Sequence, residues 1–368
     1  MTTGLPKIVI SGVNLTEAGP FSILADCLDY AARELTGRYE IVALVHKATL
    51  VKAPGVRVLE FPNSKRSWLN RLYYEYVRFL PLSARLRPRL WLSLHDMTPN
   101  VYAERQAVYC QNAAPFHRLS LKDAALEPRF ALFVLLYGVL YSINLGKNRF
   151  VVVQQDWMRR EFQARYGARN VIVAHPDPGT FPAFQAADVP PKGARTVFFY
   201  PTIARHHKNI EVIGLAVQRL RAAGLRNFEV RITIDGRENR YARHIASAFG
   251  AVPELRLVGR QTREAVYELY REVDCLVFPS RLESWGLPIS EFKPLGKPVL
   301  VADCRYAAET VGDYGNAAFF DPDDAGRLAE LMRSVIENRF RPEIRPAATP
   351  AQPYARNWAE LFKILLSD

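Results

Sequence analysis

The sequence predicts an α/β protein made of two doubly wound domains. Three observations carry that prediction. Short apolar runs of strand length alternate with segments of helical period along most of the 368 residues, the pattern that parallel sheets with crossover helices require. The apolar runs repeatedly empty into Gly-, Pro- or Asn-containing loops, as strands do at the carboxyl edge of such a sheet. An aperiodic, proline-rich stretch from His175 to Gly193 interrupts the alternation, leaving two halves of ordinary domain size.

Composition narrows the function classes. With 49% apolar residues and unremarkable Gly and Pro content the chain reads as soluble and globular. Cys27, Cys110, Cys275 and Cys304 are far apart and form no CxxC pair, so no zinc site or disulfide framework is expected and a reducing cytosol is the simplest compartment. The run Lys7-Ile8-Val9-Ile10-Ser11 is too short for a secretory leader, and the Asn14-Leu15-Thr16 sequon then carries no meaning. The net charge is +12, and residues 1–190 hold 23 Lys and Arg against 15 Asp and Glu. Such a surface suits nucleic acid, anionic lipid or anionic small molecules.

In chain order, residues 7–11 read as a buried strand, followed by a polar loop from Gly12 to Pro20 and a helix from about Phe21 to Leu35 with Ile23, Leu24, Cys27, Leu28 and Ala31 on one side. The loop lacks G-x-G-x-x-G, which disfavours a dinucleotide dehydrogenase. Strands follow at Tyr39–His46 and Val56–Phe61. From Lys65 to Arg89 seven basic residues stand against the single acid Glu75, with Trp68, Leu69, Leu72, Tyr73, Tyr76, Val77, Phe79 and Leu80 among them. This composition fits either a basic helix at a membrane interface or a core-facing helix with a solvated basic face. Single-stranded nucleic acid could use a similar mixture.

Trp91–Leu94 leads into His95-Asp96-Met97-Thr98-Pro99-Asn100, and Ala107–Cys110 into Gln111-Asn112-Ala113-Ala114-Pro115. Both loops belong to the functional edge of a sheet. His95 is a candidate for a polar role there, against the alternative of a structural or solvated histidine. Ala131–Leu145 is the most apolar stretch; at about fifteen residues it is shorter than the roughly 20 that span a bilayer, so a buried helix is expected rather than membrane insertion. Phe150–Val153 and Val171–Ala174 are strands around a helix at Trp157–Tyr166. The boundaries expected are a first domain over 1–178, a linker over 179–194 and a second domain over 195–353.

Thr196–Tyr200 restarts the sheet, and a loop ending in Arg205-His206-His207-Lys208-Asn209 precedes a helix at Ile210–Ala223. A lysine at a helix entry can neutralise a phosphate seated by backbone donors. Strands at Glu229–Ile234 and Leu255–Val258 lead to Asp235-Gly236 and Gly259-Arg260. His206 and His207 are adjacent and point apart, so no metal is assigned to them. Asp321, Asp323 and Asp324 are read as cap and first-turn acids of a helix at Ala325–Ile336.

The stretch FPSRLESWGLPISEFKPLGKPVL, Phe278 to Leu300, organises the rest. A strand end runs into a loop holding Glu283, then a turn at Gly286-Leu287-Pro288 and a short helix in whose first turn Glu291 is expected, with Pro288 marking the start and Gly296 the stop. Backbone N–H groups from Gly286 onward would face an anion at this helix start. The two carboxylates could also be a glycosidase acid and base, but those stand across a scissile bond on separate elements.

E-S-W-G-L-P-I-S-E, preceded by FPS and followed by F-K-P-L-G-K-P-V-L, resembles the E-x7-E signature of the retaining family 4 glycosyltransferases, which have the GT-B fold; the likeness extends through LRLVGRQTREAVYELYREVDCLVFPS and AAFFDPDDAGRLAELM. The resemblance implies two Rossmann-like domains facing across a cleft, with the donor on the second. It implies that Glu291 binds the ribose hydroxyls, that Glu283 lies by the sugar, and that Lys208, with Arg205 as companion, grips the donor diphosphate together with Ser284 and the backbone at Gly286 and Leu287. Asp235, Gly236, Gly259 and Arg260 fall on loops under the nucleotide. Ala18-Gly19 replaces the family's usual Gly-Gly in the first loop, with Gly19 the remaining contact to donor and acceptor. Gln111 takes the place where relatives often carry a histidine beside the sugar, and a Gln cannot shuttle protons. Segment 354–368 resembles the terminal helix that returns to the first domain.

The function implied is metal-independent hexosyl transfer with retention, without a cofactor, from a nucleotide diphosphate sugar, GDP-mannose or GDP-fucose being favoured over UDP sugars. The acceptor expected is a lipid-linked or polysaccharide glycan of the bacterial surface, such as an O-antigen. The protein is then cytoplasmic with peripheral contact to the anionic inner membrane and no nucleic-acid partner. A non-catalytic binding protein of the same fold, a sugar-nucleotide epimerase and a phosphorylase are the alternatives.

Overall fold

Apolar runs such as Ile8-Val9-Ile10, Val151-Val152-Val153 and Leu276-Val277 are buried, as central parallel strands covered by helices on both faces must be. The computed structural model describes residues 4–16, 18–176, 193–347 and 349–367; residues 179–192 of the expected linker lie outside them. The strands are β1 (Lys7–Gly12), β2 (Glu40–Val45), β3 (Arg57–Glu60), β4 (Leu90–Ser93), β5 (Arg105–Cys110), β6 (Phe150–Val153), β7 (Val171–Ala174), β8 (Thr196–Tyr200), β9 (Phe228–Ile232), β10 (Leu255–Leu257), β11 (Cys275–Phe278), β12 (Val299–Ala302), β13 (Ala317–Phe320) and β14 (Tyr354–Ala355). The helices are α1 (Ala18–Glu34), α2 (Trp68–Tyr73), α3 (Phe79–Leu86), α4 (Leu121–Leu126), α5 (Pro128–Ser142), α6 (Asp156–Tyr166), α7 (Ile210–Ala222), α8 (Arg240–Phe249), α9 (Arg263–Glu272), α10 (Leu287–Phe292), α11 (Ala307–Val311), α12 (Ala325–Ile336) and α13 (Trp358–Leu366).

The chain divides into one unit of Met1–Phe116, Val134–Thr180 and Pro350–Asp368, and another of His117–Phe133 and Phe181–Thr349. Segment 117–133, assigned to the first domain from sequence, therefore groups with the second, and α5 starts in one unit and ends in the other. The first unit's sheet has the order β14-β7-β6-β5-β4-β1-β2-β3, parallel throughout, and the second has β10-β9-β8-β11-β12-β13. Each sheet has one point where chain order reverses, between β1 and β4 in the first and between β8 and β11 in the second.

Several boundaries move from expectation for identifiable reasons. Helix α1 starts at Ala18, so Gly19 lies in its first turn rather than in a loop; first-turn N–H groups have no intrahelical acceptor, and Pro20 costs nothing there. Helix α10 starts at Leu287, which places Glu291 beyond the first turn. Tyr354–Ala355, expected as helix, adds an edge strand beside β7, anchored where Arg159 donates to the carbonyls of Ala351 and Pro353 at 2.7 and 2.8 Å. Helix α13 follows and buries Trp358, Leu361, Phe362 and Leu365 in the first core.

The basic segment forms α2 and α3 joined through a π turn, Tyr74–Arg78, with Ser67 capping the start by accepting from the Asn70 amide. The greatest departure is α5. Only one side of it is buried, at Val134, Tyr137 and Tyr141, while Leu132, Leu135, Leu136, Val139 and Ile143 are exposed. The stretch is apolar all round, so its period could not say which side, if any, faces out.

Candidate functional site

Open α/β sheets bind ligands beyond the carboxyl ends of their strands where the strand order reverses. In the second unit the loops after β8 and β11 meet at that point. Lys208 closes a 3₁₀ turn after β8, and its Nζ donates to Glu283 Oε1 in the β11 loop at 2.6 Å, both side chains being mostly buried. The loops are laced together: the Arg281 amide donates to the His207 carbonyl at 2.8 Å, and Asn209 Nδ2 donates to the Pro279 and Pro322 carbonyls at 3.2 and 2.8 Å. Asn209 adopts φ 56°, a conformation Asn tolerates better than most residues, and it turns the chain into α7. An ammonium carries three donors; one is engaged by Glu283.

Glu291 is buried on α10. The hydroxyls of Tyr267 and Tyr270, three residues apart on α9, donate to its two oxygens at 3.2 and 3.1 Å, and Arg263 Nη2 stands 3.8 Å away. Burial pushes this carboxyl above its usual range, with Arg263 and the two tyrosines pulling it back. Gly286 has φ 97°, so the turn before α10 needs a residue without a Cβ. Ser284 and Leu287 flank it half-buried.

Most of the remaining second-unit candidates make contacts within the protein. Arg205 is turned to Glu127 at 2.8 Å, and the same carboxylate accepts the His206 amide at 2.7 Å. The Asp235 and Gly236 amides are engaged by Glu238 at 2.6 and 3.0 Å, so this loop satisfies its own donors. Gly259, at φ 74°, keeps its carbonyl bonded to Gln261 Nε2 at 3.2 Å, and Arg260 is exposed. Asp324 caps α12 by accepting from Arg327, while Asp323 accepts from Arg281 at 2.7 Å. Among the described residues no group of three or more His, Cys, Asp or Glu could hold a metal ion.

In the first unit the reversal point between β1 and β4 is occupied by Ser11 and His95. Ser11 Oγ lies 3.0 Å from His95 Nε2, Glu75 Oε1 from the π turn lies 3.4 Å from the same nitrogen, and Arg71 Nη2 donates to the His95 carbonyl at 2.7 Å. His95 and Glu75 are fully buried. Burial, reinforced by Arg71, holds the imidazole down to about 3, and burial pushes the Glu75 carboxyl up to about 8 against the pull of Arg71. The contact is therefore one of a neutral imidazole with a largely protonated acid, not an ion pair at neutral pH. Neither Glu75 oxygen, nor His95 Nδ1, makes a hydrogen bond.

Gln111 is buried too; its Nε2 donates to the Leu94 carbonyl at 2.5 Å and its amide to Asp96 Oδ1 at 2.7 Å. Asp96, at φ 71°, also accepts from the Asn112 amide at 3.1 Å and the Tyr137 hydroxyl at 3.0 Å. The Tyr141 hydroxyl lies 2.8 Å from the Asn112 carbonyl and 3.2 Å from Asp96; its single proton serves the shorter contact best. Gly19 stands half-buried in the first turn of α1.

Sequence reasoning passed over Asp96, Glu75, Arg71, Tyr267, Tyr270 and Glu127. The i, i+3 tyrosines of α9 and the lone acid inside a basic helix were visible signals. The pairing of Glu127 with Arg205 spans 78 positions and left no local trace.

Residues 182–357 match the family described as glycosyl transferases group 1. O-antigen chain mannosyltransferase B of Escherichia coli is 33% identical over 105 residues, 28% of this chain and 27% of that protein. D-inositol 3-phosphate glycosyltransferase of Nocardiopsis dassonvillei is 27% identical over 235 residues, 59% of this chain and 54% of that one. The matches span about a quarter to about half of the curated relatives' own length. Among solved structures, the apo form of a lipopolysaccharide outer core galactosyltransferase superposes with TM-score 0.62 at 12% identity over 92% of both chains, a likeness of fold.

Proposed function

We propose, from the match of residues 182–357 to the glycosyl transferases group 1 family and from the GT-B likeness of the fold, that the protein transfers a hexosyl group from a nucleotide diphosphate sugar, with retention, to a glycan acceptor. The observation that carries the reading is the Lys208–Glu283 contact at the reversal point of the second sheet. The acceptor oxygen forms its bond to the anomeric carbon on the face from which the diphosphate departs; the C–O bond to the β-phosphate breaks, and the acceptor proton passes to the departing phosphate oxygen. Lys208 meets the charge that develops on that oxygen. Glu283 accepts from sugar hydroxyls and favours the oxocarbenium-like transition state, and Glu291 accepts from the ribose hydroxyls. The transfer needs no metal or organic cofactor in this reading, because Lys208 supplies the cation.

GDP-mannose or GDP-fucose is the donor class we favour over UDP sugars; the name of the E. coli mannosyltransferase supports the first sugar. The acceptor class is a lipid-linked or polysaccharide glycan of the bacterial surface, met at the cytoplasmic face of an anionic inner membrane. The test is a thermal-shift panel of GDP, UDP, dTDP and ADP with their common sugars, repeated on Glu291→Ala and Lys208→Ala, since a ligand raises apparent stability only where the native state binds it. A shift with one nucleotide, lost in both variants, supports the site. Shifts that survive in both variants would move the donor elsewhere.

A further inference from the structure

Helix α5 has two faces of opposite fate. Its inner face is fastened to the first unit: Val134, Tyr137 and Tyr141 are buried, and the tyrosine hydroxyls reach Asp96 and the Asn112 carbonyl at 3.0 and 2.8 Å. Its outer face is a stripe, Leu132, Leu135, Leu136 and Val139, continued just past the helix by Ile143, with Leu135 and Val139 65% and 60% exposed. Trp68 at the start of α2 packs edge-on against Tyr137 with ring centroids 6.1 Å apart, and beyond it Leu69, Tyr73 and Val77 are exposed as well, Leu69 at 78%. Soluble proteins seldom leave so many large apolar side chains together in water without a partner for them.

We infer that this face, the outer stripe of α5 with the outer residues of α2 and its π turn, docks the protein on an anionic lipid bilayer. The border of the patch selects the partner. Residues 128–155 contain no Asp or Glu, and the single acid of residues 65–89, Glu75, is buried. Lys65 and Arg66, just before α2, and Arg78, at the end of its π turn, are exposed. A partner must therefore offer apolar depth and negative charge together, which lipid tails under anionic headgroups do. A second copy of this chain would bring the same basic border against itself.

The face lies in the interface and does not span. Residues Pro128–Lys147 are long and apolar enough to cross a membrane by length and composition, but the exposed stripe covers eleven residue steps, about 17 Å, against a hydrocarbon core of about 30 Å. Spanning would also strip Tyr137 and Tyr141 from Asp96 and Asn112. Trp68 and Tyr73 suit the headgroup level, where an apolar ring with one polar atom is at home. The inference gives a location to the membrane contact of the proposed function; it rests on that reading for its purpose and not for its test.

The test uses the full chain in vesicle sedimentation with phosphatidylcholine alone and with added phosphatidylglycerol, at low and high salt. Binding is expected to the anionic vesicles, weakened by at least about tenfold in neutral vesicles or high salt. Leu135→Gln/Leu136→Gln is expected to lose about hundredfold in affinity, as two half-buried leucines would. Arg66→Gln/Arg78→Gln is expected to lose the preference for anionic lipid. A nucleotide thermal shift, or failing that an unchanged melting temperature, shows that the variants fold. Absence of wild-type binding at low salt overturns the inference, as does unchanged binding of the leucine variant or a concentration-dependent dimer that this variant dissolves. Vesicle binding without any nucleotide shift would leave the docking face standing and remove the proposed donor.

Discussion

Replacing Glu75 by Gln should stabilise the protein at neutral and alkaline pH and not in acid. The carboxyl is fully buried against His95 with neither oxygen hydrogen-bonded, and burial raises it to about 8; an unfolded glutamate titrates near 4.3. Between those values the folded chain holds one proton more than the unfolded chain, so unfolding free energy falls by about 1.4 kcal/mol per pH unit as pH rises. At pH 7 the accumulated cost is about 4 kcal/mol, reaching about 5 kcal/mol above pH 8, where it levels off. Gln avoids this term but buries an amide of its own, at about 1–2 kcal/mol. The net gain at pH 7 is then about 2 kcal/mol, or roughly 3–5 °C in the transition of a unit of this size. His95, held neutral in the fold, loses stability for both proteins below its unfolded pKa near 6.5 and cancels in the comparison. Melting temperatures of the two proteins from pH 4.5 to 9 should cross on the acid side and diverge until about pH 8. A variant less stable by a constant margin at every pH would refute the reasoning, because it would mean that Glu75 is ionised in the fold and held by Arg71.

Asp96 accepts two backbone amides and the Tyr137 hydroxyl, so Asp96→Ala should cost at least about 3 kcal/mol in denaturant unfolding, and Asp96→Asn less, since Asn keeps an acceptor and tolerates the positive φ. Lys208→Ala should lower the rate of sugar transfer about 100- to 1000-fold; a rate within threefold of wild type in a product-release assay would remove Lys208 from the proposed chemistry. Glu291→Gln should weaken nucleotide binding about 10- to 100-fold by calorimetry, the loss expected for charged hydrogen bonds. The same variant should leave the ligand-free protein no less stable at neutral pH. Its carboxyl is raised by burial, so the wild-type fold gives up stability as pH climbs through that pKa, and a drop in melting temperature would contradict this sign.

The parallel sheets were legible because buried strands of such sheets write themselves as unbroken apolar runs: Phe150–Val153, Val171–Ala174 and Thr196–Tyr200 have the expected bounds. The Lys208 and Glu283 loops could be placed at strand ends on the same grounds. Other features depend on packing that no local pattern records. Ala131–Leu145 is apolar in every direction, so its exposed side emerges only from which residues Asp96 and Asn112 hold. Tyr354–Ala355 is too short to have a strand period, and pairing with β7 decides its state. The family resemblance makes Arg205 the companion of Lys208 at the diphosphate; in the ligand-free fold it pairs with Glu127, from a segment that sequence order gave to the other domain.

The two reversal points carry opposite electrostatics, and the difference bears on where the acceptor's proton can go. At the first, His95 is neutral, buried and held far below neutral pH, and Gln111 is committed to the Leu94 carbonyl; neither can take a proton from an acceptor hydroxyl at pH 7. At the second, Glu283 Oε1 already accepts from Lys208 Nζ at 2.6 Å. His95, Gln111 and Glu283 are thus each engaged within the protein. In the proposed reaction the departing phosphate oxygen, which gains negative charge as the bond to the sugar lengthens, is the acceptor that remains. Catalysis then depends on how well Lys208 stabilises that oxygen without quenching its basicity, a balance that the shared contact with Glu283 sets by dividing one ammonium between two anions. Transfer rates should accordingly respond more strongly to Lys208→Ala than to His95→Ala or Gln111→Ala once the stability of each variant is matched, and an equal loss at His95 would return the proton to the first unit.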